Sequence, residues 1–237
     1  MVSEAGGALS QEKDGYLQPT HYIDSDSEAI GSFVRKALDG PDALSDTQKA
    51  VRLFYAVRDD IRYDPYAFSV RPQDYVASQI TGFQSAYCVP KAILLTACLR
   101  AVGIPAAVGF ADVRNHLNSP KLAELMQSDL FIYHGYVQHW LGDRTFKVTP
   151  AFNKELCDRF GVKPLEFDGT GNALFHEFDQ QNRRHMEYVR DRGVYREVPM
   201  EQILSDFREF YPRLAAYAAT QGDRGLQVED DAFSGSG

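Results

Sequence analysis

The segment Ala92 to Val102 is apolar along nearly its whole length, which makes it the strongest candidate in the chain for a buried helix, and the other elements must be arranged around it. A loop, Ser85-Ala86-Tyr87-Cys88-Val89-Pro90-Lys91, leads into it and places Cys88 at its N-terminus. A thiol there faces unpaired backbone N–H groups and the positive end of the helix dipole, which together favour the thiolate, the reactive form. Gly103-Ile104-Pro105 stops the helix.

A chain of 237 residues, 44% hydrophobic and 12% aromatic, can bury a sizeable core as an ordinary globular protein. The formal charge of −8 argues against a nucleic-acid backbone or an anionic membrane surface as partner, since either would repel the protein on average. The longest strongly apolar run, Ala92 to Leu99, falls far short of the ~20 residues of a membrane span. Met1 to Gly15 carries Glu4, Glu12 and Asp14 where a signal peptide needs an apolar core, so the expected location is cytoplasmic. Residues 1–15 and the Gly/Ser-rich, acidic stretch 225–237 are expected to be mobile tails around a single domain over 16–224.

Three cysteines without a C-x-x-C pair suggest neither a disulfide framework nor a structural zinc site, and no cofactor motif is present. Cys98, inside the apolar helix, and Cys157 fit as small buried hydrophobes. No short-spaced cluster joins Cys88, His134 and His139 into a metal site, and no D-x-[DN]-x-[DN]-G calcium loop occurs.

Helical spacing of Ile30, Phe33, Val34 and Ala37 predicts one helix, and Ser45 with Gln48 three residues on predicts the capped start of another running toward Ile61. Asp74 to Ile80 and Pro120 to Gln127 suit short helices. Ala106 to Val113 reads as a buried strand, and Leu130–Leu141 with Arg144–Thr149 reads as a hairpin closed by Gly142-Asp143. The C-terminal third is less regular until an amphipathic helix from Pro199 to about Ala219, kinked at Pro212, whose apolar face is assigned to packing. The implied fold class is α+β, with the Cys88 helix packed on an antiparallel sheet.

Four stretches occur in a telling order: Ala86-Tyr-Cys-Val-Pro-Lys-Ala92, Leu99-Arg-Ala-Val-Gly-Ile-Pro-Ala106, His134-Gly-Tyr-Val-Gln-His139 and Thr149-Pro-Ala151. Together they resemble the transglutaminase-like branch of the papain-like cysteine enzymes over roughly Leu53 to Phe152. The resemblance implies that Cys88 is the nucleophile and His134 its general base, acting through a thioester. It also implies a peptide or small-molecule amide or acyl substrate, with water or an amine as acceptor. His139 has the opposite strand parity to His134 and is assigned to structure, and Tyr63 to packing.

Two positions depart from the family pattern. Ala86 stands where a glycine precedes the nucleophile, and Thr149 stands where an aspartate would complete the triad. Thr149 can accept the imidazole N–H but brings no negative charge. Asn153, four residues on, is the next candidate for orienting His134, and the acids Asp112 and Asp168 cannot be placed from sequence. Tyr87, Arg114 and Asn153 are assigned to substrate binding; Arg114, with Asn115 and His116, follows a strand, where polar residues often line sites. The Thr149 departure also fits a different class of protein, a binding or scaffold protein that keeps the fold without the chemistry.

Overall fold

In a computed structural model, the structure describes residues 13–40, 43–115, 119–174 and 186–221. The expected tails, apart from residues 13–15, and His116 lie outside the described residues. Helix α1 (Glu28–Ala37) starts on a Ser27 cap, and α2 (Asp46–Asp60) on the expected box, in which Ser45 and Gln48 satisfy each other's backbone N–H groups. Strand β1 (Arg62–Tyr63) pairs in parallel with β2 (Ser85–Ala86), bringing the segment after α2 alongside the approach to Cys88. Between them, the single helix expected over 74–80 is instead a 3₁₀ turn (Pro72–Tyr75) and a short α3 (Ala77–Ile80), separated by an extended Val76.

Helix α4 (Cys88–Ala101) is buried at every position but the last. Helices α1 to α3 pack against it, and strands β3 (Ala106–Asn115) and β4 (Leu130–Leu141) also lie on it. Its end is a Schellman cap: Gly103, at φ +79°, donates to Arg100 O, and Ile104 N–H reaches Leu99 O. Arg100 then ties three carbonyls together, those of Gln18, Ala106 and Arg196, which explains why an arginine can sit buried in the Leu-Arg-Ala-Val-Gly-Ile-Pro turn.

The four-stranded antiparallel sheet has the order β5-β4-β3-β6, with β5 (Arg144–Val148) completing the expected hairpin and β6 (Met186–Tyr195) at the other edge. The last element was hard to see in sequence, because Glu187, Arg190, Asp191 and Arg192 interrupt any apolar alternation. Such charge is characteristic of an exposed edge strand, where it discourages pairing with another chain. Helices α5 (Pro120–Met126) and α6 (Lys154–Phe160) follow β3 and β5 respectively, and the chain closes with α7 (Met200–Phe210) and α8 (Pro212–Gln221), broken at Pro212 as expected. Among the described residues no helix is long and apolar enough to cross a membrane.

Candidate active site

Cys88 is the first residue of α4, and the cap residue before it, Tyr87, contributes no side-chain hydrogen bond to the helix start. The orphan N–H groups of Cys88 and Val89 therefore remain available, and both act on the Cys88 thiol; Pro90, third in the helix, has no N–H to offer. A third group comes from the sheet. Strand β5 ends at Val148, opposite Val137, so among the described residues β4 has no strand partner on that side beyond it, and the Gly135 N–H acts on the Cys88 thiol in favour of its thiolate. Glycine is required there by proximity: a Cβ at Gly135 would stand 2.8 Å from Cys88 O and 3.0 Å from Val89 Cα. The residue before Gly135 is His134, buried at 4% exposure.

Cys88 and His134 line one narrow cavity of about 50 Å³. Residues 35–150, which carry both, match the family model of the transglutaminase-like superfamily. This stretch is similar to a transglutaminase-like core. No curated protein matches the chain at a significant level. Among solved structures, a candidate cysteine protease from Cytophaga hutchinsonii is similar at 17% identity with a TM-score of 0.42, over 57% of this chain and 40% of that one. The chain thus matches less than half the length of that protein.

Within this stretch the thiol does not behave as its helix position alone suggests. Burial outweighs the three N–H groups and the nearby Lys91 charge, and pushes the Cys88 pKa up to about 11. The resting group at neutral pH is the thiol, so the thiolate expected from the helix start is overruled by desolvation.

Thr149 follows the end of β5, where its N–H donates to Ala173 O at 2.8 Å. Its Oγ1 is buried without a hydrogen-bond partner, so the expected bond to the His134 imidazole is not made. Asn153 is committed elsewhere. Its Oδ1 accepts from Tyr63 N–H at 3.0 Å and its Nδ2 donates to Glu155 at 2.8 Å, so the amide ties β1 to the start of α6 and does not line the cavity. Arg114 also stands outside the cavity, with its guanidinium 2.9 Å from Asp129. Of the three residues assigned to substrate binding only Tyr87 is a wall of the cavity, and its hydroxyl lies 2.9 Å from that of Tyr75.

Of the two acids, Asp168 is exposed and closes its own turn by accepting from Thr170 N–H and Oγ1. Asp112 lies beside the site. His134 pairs with Ala111, but an irregularity follows in the β3–β4 register, and there Tyr133 takes a left-handed φ of +57°, unusual for a bulky residue. Asp112 Oδ1 accepts Tyr133 N–H at 3.1 Å and Arg192 Nε at 2.5 Å. The Arg192 guanidinium lies 4.0 Å over the Tyr133 ring, and Tyr133 OH donates to Asp206 at 2.6 Å. One residue earlier, Ile132 N–H donates to Tyr211 OH, which itself donates to Leu130 O, both at 2.7 Å. The backbone entering His134 is therefore fixed from β3, β6, α7 and the α7–α8 break.

This network is not legible in the sequence, because its pairs lie far apart along the chain, 80 positions in the case of Asp112 and Arg192. Phe207, Tyr211 and Leu214, on the last two helices and the break between them, form the packing face expected from the sequence and are also cavity walls. Two aromatics on one helical face followed by a proline break were the available signal. Tyr63, packed edge-on to Phe152 at 4.5 Å, also faces the cavity. His139 is stacked on Phe146 at 5.5 Å, with neither ring nitrogen hydrogen-bonded. Among the described residues no group of three or more His, Cys, Asp or Glu is placed to hold a metal ion.

Proposed function

We propose that the protein is a cysteine-dependent acyl-transfer enzyme in which Cys88 is the nucleophile and His134 the base. The observation that carries this reading is that Cys88 and His134 line one cavity, with Gly135, the residue after His134, packed directly on the Cys88 backbone. Since the resting thiol is protonated, the imidazole takes its proton as Sγ attacks the acyl carbonyl, and the new S–C bond leaves an oxyanion for which the Cys88 and Val89 N–H groups are the nearby donors. Collapse expels the amine or thiol of the substrate, which receives the proton from the imidazolium. Water or an amine then attacks the thioester and frees Cys88. The Asp112–Arg192–Tyr133 network holds the backbone that presents His134.

A second reading, a binding protein that keeps the fold without the chemistry, is favoured by the unpartnered Thr149 hydroxyl and the high thiol pKa. Hydrolysis of p-nitrophenyl acetate separates the two. Cys88 should carry an acetyl group in the intact-protein mass spectrum during turnover, Cys88→Ala should abolish turnover, and His134→Ala should lower it by about 100-fold or more. Equal rates in all three proteins would leave only the binding reading. Simple thiol labelling is less informative, since Cys98 and Cys157 are enclosed and would react slowly in either case.

A further inference from the structure

The cavity in front of Cys88 has a wall chemistry that bears on what it can hold. Phe68, Leu122, Met126, Phe131, Phe207 and Leu214 present only carbon or thioether surface, and no lysine, arginine, aspartate or glutamate lines it. Three of the tyrosine walls have their hydroxyls engaged with the protein. Tyr87 OH meets Tyr75 OH at 2.9 Å, Tyr133 OH donates to Asp206 at 2.6 Å, and Tyr211 OH donates to Leu130 O at 2.7 Å. Apart from the reacting pair, these walls offer a ligand little to compensate a charge, and a charge buried without a partner is strongly disfavoured. The space is also small: at about 50 Å³ it is well below the ~150 Å³ of a cavity that accommodates benzene.

We propose that this cavity is the acyl-group pocket of the reaction and that it selects a short, uncharged aliphatic acyl group, of about two to four carbons, over charged, aromatic or long-chain ones. The inference rests on the Cys88–His134 reading for the chemistry, but the selectivity belongs to the walls and can be measured without turnover. The limit on length is assigned to two of these walls, Met126 on α5 and Phe207 on α7.

Alkyl methanethiosulfonates test the walls directly. The Cys88 thiolate displaces methanesulfinate, the S–S bond forms, and the thiol proton goes to solvent, so no general base is needed. The propyl reagent should modify Cys88 at least tenfold faster than the trimethylammonioethyl and sulfonatoethyl reagents, with each rate divided by that for free cysteine and the site read by intact mass against Cys88→Ala. In the acyl series, p-nitrophenyl butyrate should acylate Cys88 at least tenfold faster than the octanoate, and Met126→Ala should move the optimum toward the octanoate, an effect that general destabilisation does not produce. Charged reagents reacting as fast as propyl, no modification by any reagent, or a length preference that Met126→Ala leaves in place would each overturn the proposal. If the thiosulfonates show the selectivity while no ester acylates Cys88, the pocket assignment to catalysis falls with the enzymatic reading, and an uncharged binding pocket is what remains.

Discussion

Lys91 sits one turn into the helix that Cys88 begins, completely enclosed, with Nζ donating to Arg58 O at 2.8 Å and to Ile61 O at 2.5 Å at the end of α2. Burial pushes its pKa from 10.5 down to about 7, against the opposing pull of Asp59. The unfolded chain keeps this proton to about pH 10.5 and the folded one releases it near 7, so in that window the unfolded state binds more protons and stability rises with pH. The limiting slope is about 1.4 kcal/mol per pH unit, which gives a gain of about 1.2 kcal/mol between about pH 7.5 and about pH 8.5. Lys91→Met removes the titration while keeping most of the volume. Urea unfolding under reducing conditions at these two pH values should show wild type gaining about 1.2 kcal/mol relative to the variant. Lys91 acts on the folded Cys88 and Cys157 thiols, but burial raises all three thiols above this window, so they stay protonated in both folded proteins and cancel in the difference. The fixed offset between the curves mixes lost carbonyl partners with relieved burial, whereas the difference in slope isolates the ammonium. Parallel curves would refute a depressed Lys91 pKa and with it the argument that this charge is held against strong desolvation.

His139 is buried with both nitrogens unpartnered, and burial lowers its pKa from 6.5 to about 4. Its neutral form contributes stability that is present above 6.5 and lost as pH falls toward 4, up to roughly 3 kcal/mol, so His139→Phe should flatten the acid limb of a Tm-against-pH curve; an unchanged limb would contradict this. Gly135→Ala drives a Cβ into the Cys88 carbonyl and should cost about 1–3 kcal/mol in urea unfolding and slow iodoacetamide at Cys88, whereas wild-type values for both would mean that strand and helix can separate freely. Asp112→Ala strips the partner from Tyr133 N–H and Arg192, and should cost about 3 kcal/mol and lower ester turnover at least tenfold at a temperature where circular dichroism shows the variant folded; full turnover there would remove the network from the presentation of His134.

Much of the scaffold was legible because it is encoded locally. The Ser45–Gln48 box, the Gly103 cap, the Gly142-Asp143 turn and the Pro212 break each depend on a few neighbouring residues, and each occurs as expected. Strand β6 escaped because its charges erase the alternation that marks a strand, while its partner β3, some 80 positions earlier, supplies the pairing. The placements of Thr149, Arg114 and Asn153 missed for a related reason. A polar side chain near a strand end can turn to whichever partner the fold provides, and here these were Asp129 for Arg114, Tyr63 and Glu155 for Asn153, and none for the Thr149 hydroxyl.

Periodicity and order along the chain suffice to place a thiol at the start of a helix apolar enough to be the centre of the molecule, and a histidine on a strand of the sheet beside it. The state and surroundings of that thiol come from the folded arrangement. Its pKa depends on how much protein encloses it, its cavity wall comes partly from α7 and α8 at the far end of the chain, and the strand segment leading into the histidine is held by side chains from elements distant in sequence. Desolvation and cross-strand hydrogen bonding are sums over neighbours in space, and a linear sequence does not contain them until the chain has folded.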